Sequence, residues 1–153
     1  MHQIYNKVKK YHIIPPVLVL LTALFAVSSC GKDEKEQGLI PNVYVNFELY
    51  PNSINPIPVS TWIYVNDQGY RGIIIYRYDQ NTFLAYERTC PYDPEKSCAV
   101  VEADESSITA VDSCCMSRFL LTDGSPYAGP ATLPLKQYQT MYDGNILRVY
   151  NQP

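Results

Sequence analysis

From Val43 onward, turn-forming residues interrupt the chain so often that no stretch between them carries the apolar spacing of an amphipathic helix. What survives between the turns is a series of short segments rich in Val, Ile and Tyr, residues that suit a pleated, half-buried surface. Nine such segments read as strands: 43–47, 62–65, 72–78, 82–88, 98–103, 108–111, 118–121, 135–142 and 145–150. Asn66-Asp67-Gln68-Gly69, Asp79-Gln80-Asn81, Asp104-Glu105-Ser106-Ser107, Asp123-Gly124 and Asp143-Gly144 supply turns, and the proline-rich stretch 51–58 reads as an irregular loop. Many short strands with closely spaced turns predict an all-β antiparallel sandwich or small barrel.

The N-terminus has a different character. Lys7, Lys9 and Lys10 precede an apolar run over 13–27 that Pro15 and Pro16 interrupt. A membrane-spanning helix needs roughly 20 apolar residues, and this shorter run suits the hydrophobic region of a signal peptide. It ends in Val27-Ser28-Ser29-Cys30, which resembles a lipobox. Small residues there admit a peptidase close to the backbone, and the Cys30 thiol would carry the diacylglycerol. The expectation is a lipoprotein whose signal peptide, 1–29, is removed and whose Cys30 holds palmitate-type acyl chains. The alternative is an ordinary signal peptide with an incidental cysteine. A charged tether, 30–40, would follow, with acidic residues that resemble the surface-export signals of some outer-membrane lipoproteins or serve as a plain solvated linker. Several acyl chains on one residue hold a protein durably to a membrane. The expected location is therefore the outer membrane, on its periplasmic or cell-surface face.

Cleavage before Cys30 would leave 124 residues, enough for one domain with a modest core, at 41–153. It would remove three of the twelve basic residues and none of the fifteen acidic ones, leaving a net charge of −6. Nucleic acid is not an expected partner, because its binding calls for a basic patch. Both histidines, His2 and His12, also fall in the leader. The remaining chain lacks the commonest general base and the commonest metal ligand.

Its four other cysteines lie in two loops, Cys90 and Cys98 in one, Cys114 and Cys115 in the next. The surrounding residues are Thr89-Cys90-Pro91-Tyr92, then Asp112-Ser113-Cys114-Cys115-Met116-Ser117-Arg118-Phe119, then Asp123-Gly124, Gly129-Pro130-Ala131 and Pro134-Leu135. From about Val43 to Asn151 this arrangement resembles the Rieske iron–sulfur domain. That family holds a two-iron cluster with Cys-x-His in one loop and Cys-x-x-His in the second. The resemblance implies a Rieske-like sandwich and places the four ligand positions at Cys90, Tyr92, Asp112 and Cys115. Only Cys90 keeps the family's residue. A Rieske centre needs two imidazoles on one iron, so the expectation is the fold without the cluster, and no cofactor.

The resemblance also implies a disulfide between Cys98 and Cys114, where some respiratory members link their cluster loops. A second, Cys90–Cys115, would then stand in for the cluster. Two alternatives stay open for the thiols. Four thiolates can hold zinc or a 2Fe–2S centre, with Cys90 and Cys115 as ligands, although no Cys-x2-Cys spacing is present. Cys90 and Cys115 could also work as a thiol–disulfide pair.

The remaining candidates are weaker. Asp93, Glu95, Glu102, Asp104 and Glu105 could attract calcium, or be a solvated acidic surface. Ser117 lacks a histidine base, so no catalytic set is expected, and the resemblance implies that it caps its loop by hydrogen bonding. Tyr92, Tyr127 and Tyr138 could form an aromatic patch at the loop tips or pack against prolines, and Trp62 reads as core. The function expected is a membrane-anchored binding or structural module whose protein partner the sequence does not name. The alternatives are an electron-transfer protein with atypical cluster ligands and a thiol–disulfide redox protein.

Overall fold

Ten strands, every pairing antiparallel, run through the computed structural model, which describes residues 39–105 and 108–151. The leader 1–29, Cys30 and most of the tether lie outside the described residues. The strands are β1 (Asn46–Leu49), β2 (Thr61–Val65), β3 (Ile73–Arg77), β4 (Phe83–Glu87), β5 (Val101–Ala103), β6 (Thr109–Asp112), β7 (Arg118–Leu120), β8 (Pro126–Ala128), β9 (Gln137–Tyr142) and β10 (Leu147–Tyr150). Six make one sheet in the order β1-β10-β9-β4-β3-β2, and four make a second in the order β5-β6-β7-β8. The chain is thus all-β, with two cysteine-bearing loops, as the sequence resemblance implies.

The β3 strand shows why the two sheets pack as they do. Its Ile-Ile-Ile-Tyr run is β-branched and aromatic, and both of its faces are buried. Successive side chains alternate across the sheet, so Ile74 and Tyr76 enter one core while Ile73 and Ile75 enter another. The first core adds Tyr86, Val101, Ala110, Phe119 and Leu121, and so lies between the six-stranded sheet and the four-stranded one. The second adds Val45, Phe83, Ala85, Leu147 and Val149, all from the six-stranded sheet and its flank. Trp62, expected in the core, is half-buried: it packs against the first core with its ring 4.6 Å from that of Tyr64.

Turn chemistry fixes the hairpins. Asp79 Oδ1 accepts from the backbone N–H of Asn81 and Thr82, both at 2.8 Å, between β3 and β4. Asp143 does the same for Asn145 and Ile146 between β9 and β10, with Gly144 at a φ of 99°. The irregular loop at 51–58 is tied down by a buried arginine. Arg77 donates to Asn52 Oδ1, to the carbonyls of Ile57 and Gln80, and to that of Asp79.

Three elements differ from the sequence expectation. The strand expected at 43–47 starts only at Asn46, because the Asn151 side chain substitutes for a ladder partner. It accepts from Val45 N at 3.0 Å and donates to the Val43 carbonyl at 2.6 Å. The strand expected at 98–103 shrinks to Val101–Ala103, preceded by a single bridge between Thr89 and Val100. The tenth strand, β8, was not expected. It is a short edge strand whose first residue is Pro126, a position where proline's missing N–H is tolerated.

Candidate functional site

The first cysteine loop leaves β4 and returns toward β5. Its base is closed by Cys90 N donating to the Ala99 carbonyl at 3.0 Å and by Val101 N donating to the Arg88 carbonyl at 2.7 Å. Its far side is held by Arg71, whose guanidinium donates to the carbonyls of Lys96 and Glu95. Arg71 is itself positioned by Glu87, the last residue of β4. The Glu87 carboxylate is fully buried and accepts five hydrogen bonds. The donors are the N–H groups of Tyr70, Arg71 and Thr89, the Thr89 hydroxyl and the Tyr138 hydroxyl. Donors in that number offset the cost of burying a carboxylate.

The second loop connects β6 to β7 in a tight reversal. Met116 N donates to the Asp112 carbonyl at 2.7 Å, and Asp112 N donates to the Ser117 carbonyl at 2.9 Å. Met116 sits at a φ of 63°, a left-handed conformation that is costly for a residue with a Cβ. The third segment, Gly129-Pro130-Ala131, lies against this reversal. Ala131 N donates to Ser117 Oγ at 3.0 Å, so Ser117 caps the loop through its hydroxyl. A Cβ on Gly129 would lie 2.5 Å from Ser117 Cα and 2.7 Å from the Met116 carbonyl oxygen, which only glycine allows.

The adjacent cysteines of the second loop take different partners. Cys114 is disulfide-bonded to Cys98, which joins the two loops. Cys115 faces Cys90, but this pair is not bonded: both are free thiols, with sulfurs 3.8 Å apart. The Cys90–Cys115 bond expected from the resemblance is therefore not formed in this structure. The Cys115 thiol is instead engaged by Asp112 Oδ2 at 3.1 Å and by Ser117 Oγ at 3.0 Å. Cys90, Asp112 and Ser117 are fully buried and Cys115 is half-buried. Burial, and then hydrogen bonding to the Asp112 carboxylate, push the Cys90 thiol far above the usual thiol range, with partial relief from the Tyr92 backbone N–H. Cys90 is thus a protonated thiol at neutral pH and a weak nucleophile.

The other sequence candidates are placed as follows. Tyr138 is no part of a surface patch: it is buried in the second core with its hydroxyl on Glu87. Tyr92 is half-buried against the first core, and only Tyr127 of the three is exposed. Asp93 pairs with Lys96 at 2.7 Å. Among the described residues, the acidic set Asp93, Glu95, Glu102, Asp104 and Glu105 does not converge into a possible metal site. The group that does is Cys90, Asp112 and Cys115, whose donor atoms all lie within 4.8 Å of one another. Sequence reasoning missed Glu87 and Arg71. A lone glutamate at a strand end looks solvated until its surroundings are known.

These donors do not fit a Rieske-type cluster. On the ligand positions that the sequence resemblance implies, Tyr92 and Cys115 stand where two imidazoles are needed. Cys90 and Cys115 would have to sit on different irons, yet their sulfurs are no farther apart than two sulfurs on one metal ion, about 3.8 Å for tetrahedral bonds of about 2.3 Å.

No family model matches the chain, and no curated protein matches it. It is similar to a solved chain described as the complex of reduced oxygenase and oxidized ferredoxin in carbazole 1,9a-dioxygenase. There the identity is 19%, the match covers 69% of this chain and 95% of that one, and the TM-score is 0.49. It is also similar to the ferredoxin of carbazole 1,9a-dioxygenase from Nocardioides aromaticivorans IC177, at 17% identity over 69% of this chain and 98% of that one, with a TM-score of 0.48.

Proposed function

We propose that this chain is an exported lipoprotein, held at the outer membrane by acyl chains on Cys30, whose Rieske-like domain carries no two-iron cluster and acts as a binding or structural module. The observation that carries the reading is the contact between Cys90 and Cys115. Their sulfurs are 3.8 Å apart, with the Asp112 carboxylate 3.1 Å from Cys115, so residues at the family's ligand positions pack on one another. The Cys98–Cys114 disulfide suits an oxidising compartment. Segments around the site also carry exposed apolar side chains, Met116 in the second loop and Tyr127 in β8, which suit a protein partner. Redox exchange at Cys90 and Cys115 is disfavoured by the raised Cys90 thiol, which has little thiolate to offer.

Two measurements test this reading. The full chain, produced in a bacterial host that processes lipoproteins, should incorporate labelled palmitate and fractionate with membranes. Cys30→Ala should abolish the label and release the protein. A labelled Cys30→Ala variant would overturn the anchoring. The purified chain should be colourless and free of acid-labile sulfide, whereas two irons per chain with a charge-transfer spectrum would overturn the cluster-free reading.

A further inference from the structure

We propose that Cys90, Asp112 and Cys115 form a mononuclear site for a thiophilic divalent cation, zinc by preference, with one coordination position left open. This rests on the cluster-free reading of the same residues and goes further, by naming what the site takes instead.

Geometry comes first. Two sulfurs bound at about 2.3 Å to one tetrahedral ion are about 3.8 Å apart, and the Cys90 and Cys115 sulfurs are 3.8 Å apart. A sulfur and a carboxylate oxygen on the same ion are separated by about 3.5 Å, and Cys115 Sγ lies 3.1 Å from Asp112 Oδ2. All three donor atoms fall within 4.8 Å of one another. A modest opening of the thiol–carboxylate contact would place one ion between them.

Charge comes second. Asp112 is fully buried; its Oδ1 accepts from Cys114 N at 2.8 Å, and no cation pairs with it among the described residues. A buried carboxylate is normally paired, neutralised or used as a metal ligand. Here its nearest side-chain partner is a thiol, which becomes an excellent ligand on losing its proton. Two thiolates and a carboxylate are a donor set that zinc accepts readily, since it has no geometric preference of its own.

The surroundings are already built to hold such a centre. The second loop is clamped to the first by the Cys98–Cys114 disulfide, next in sequence to one of the proposed ligands. Ser117 Oγ touches the Cys115 sulfur at 3.0 Å while accepting from Ala131 N, so an outer hydrogen bond is in place on that sulfur. Binding would release one proton from each thiol to solvent as each sulfur donates a lone pair to the ion, with no change of oxidation state. Three protein donors leave the fourth position to water or a small anionic or neutral ligand. Cys115, being only half-buried, brings the site toward solvent.

The test uses the full chain purified from membranes in detergent without added reductant. After incubation with a zinc salt and gel filtration, it should retain one zinc per chain by elemental analysis. Cobalt in place of zinc should give a thiolate-to-metal charge-transfer band. Cys90→Ser and Cys115→Ser should each weaken binding roughly 100-fold or more, and Asp112→Asn roughly 10-fold. In case these variants fail to fold, zinc on the unaltered chain should slow alkylation of the half-buried Cys115, read by peptide mapping. No retained zinc, unaltered affinity in Cys90→Ser, or a Cys90–Cys115 disulfide in the freshly isolated protein would overturn the site and leave the cluster-free reading intact. Two irons with acid-labile sulfide would overturn both.

Discussion

The Tyr138 hydroxyl donates a 2.8 Å hydrogen bond to Glu87 Oε2, with both side chains buried. Through this contact β9 is tied to the end of β4, and through Glu87 to the Tyr70–Arg71 turn that steadies the first cysteine loop. Tyr138→Phe removes one of five donors and should cost about 1–3 kcal/mol. Glu87→Ala strands all five and should cost more. Urea unfolding of the two variants checks the order, and equal losses would contradict the arrangement.

The same tyrosine gives the domain an alkaline limit. Burial, and then the hydrogen bond to Glu87, push the Tyr138 hydroxyl well above the ordinary phenol range. Burial, and then the Asp123 charge, do the same for Tyr86. The folded state therefore keeps protons that an unfolded chain releases above about pH 10. The stability linked to these groups is fully present below that pH and is lost as pH rises beyond it. Urea midpoints should fall steeply above about pH 10 and less steeply in Tyr138→Phe; a midpoint unmoved by alkali would refute this.

Among the described residues the buried Tyr86 hydroxyl has no hydrogen-bond partner, and its ring packs against Gly124. Tyr86→Phe should thus be neutral or stabilising by up to about 1 kcal/mol, since no bond is lost and a buried polar group is removed. A clear loss in thermal midpoint would show that the hydroxyl has a partner.

The Cys98–Cys114 bond spans a sequence separation of 16 residues. Replacing both cysteines with serine should lower unfolding stability by about 3 kcal/mol, the expectation for a loop of this size. The same loss should follow reduction of the unaltered protein, and denaturant curves with and without reductant compare the two.

Gly129→Ala should cost roughly 1–3 kcal/mol from its φ of 88° alone, and more from the clash with Met116 and Ser117. Because that clash lies beside Cys115, alkylation of Cys115 should also quicken. An unchanged alkylation rate would mean that the Gly129 segment does not cover the site.

Strand identity was legible where β-branched and aromatic residues run between strong turns, as in the Ile73–Arg77 strand and at Asp143-Gly144. Pairing and burial were not. Pro126–Ala128 is a strand only because Arg118 and Phe119 lie beside it. Tyr138 looked like a loop-tip aromatic because nothing near it in sequence reveals Glu87, which lies 51 residues away. At the candidate site, the cysteine loops could be read from the sequence itself, and the Ser117 and Gly129 positions from its resemblance to the Rieske domain. The position of the Asp112 carboxylate against Cys115 could not, because it depends on how the β6–β7 reversal closes.

The β3 strand places Ile74 in one core and Ile75 in the other. A sheet shared in this way links the packing of the cysteine-bearing half to that of the six-stranded sheet. Amides around the loops should therefore exchange with solvent either by small local fraying or by unfolding of the whole domain, without an intermediate class. A ligand that engages the loop end should then slow amide exchange at the β1–β10 edge as well.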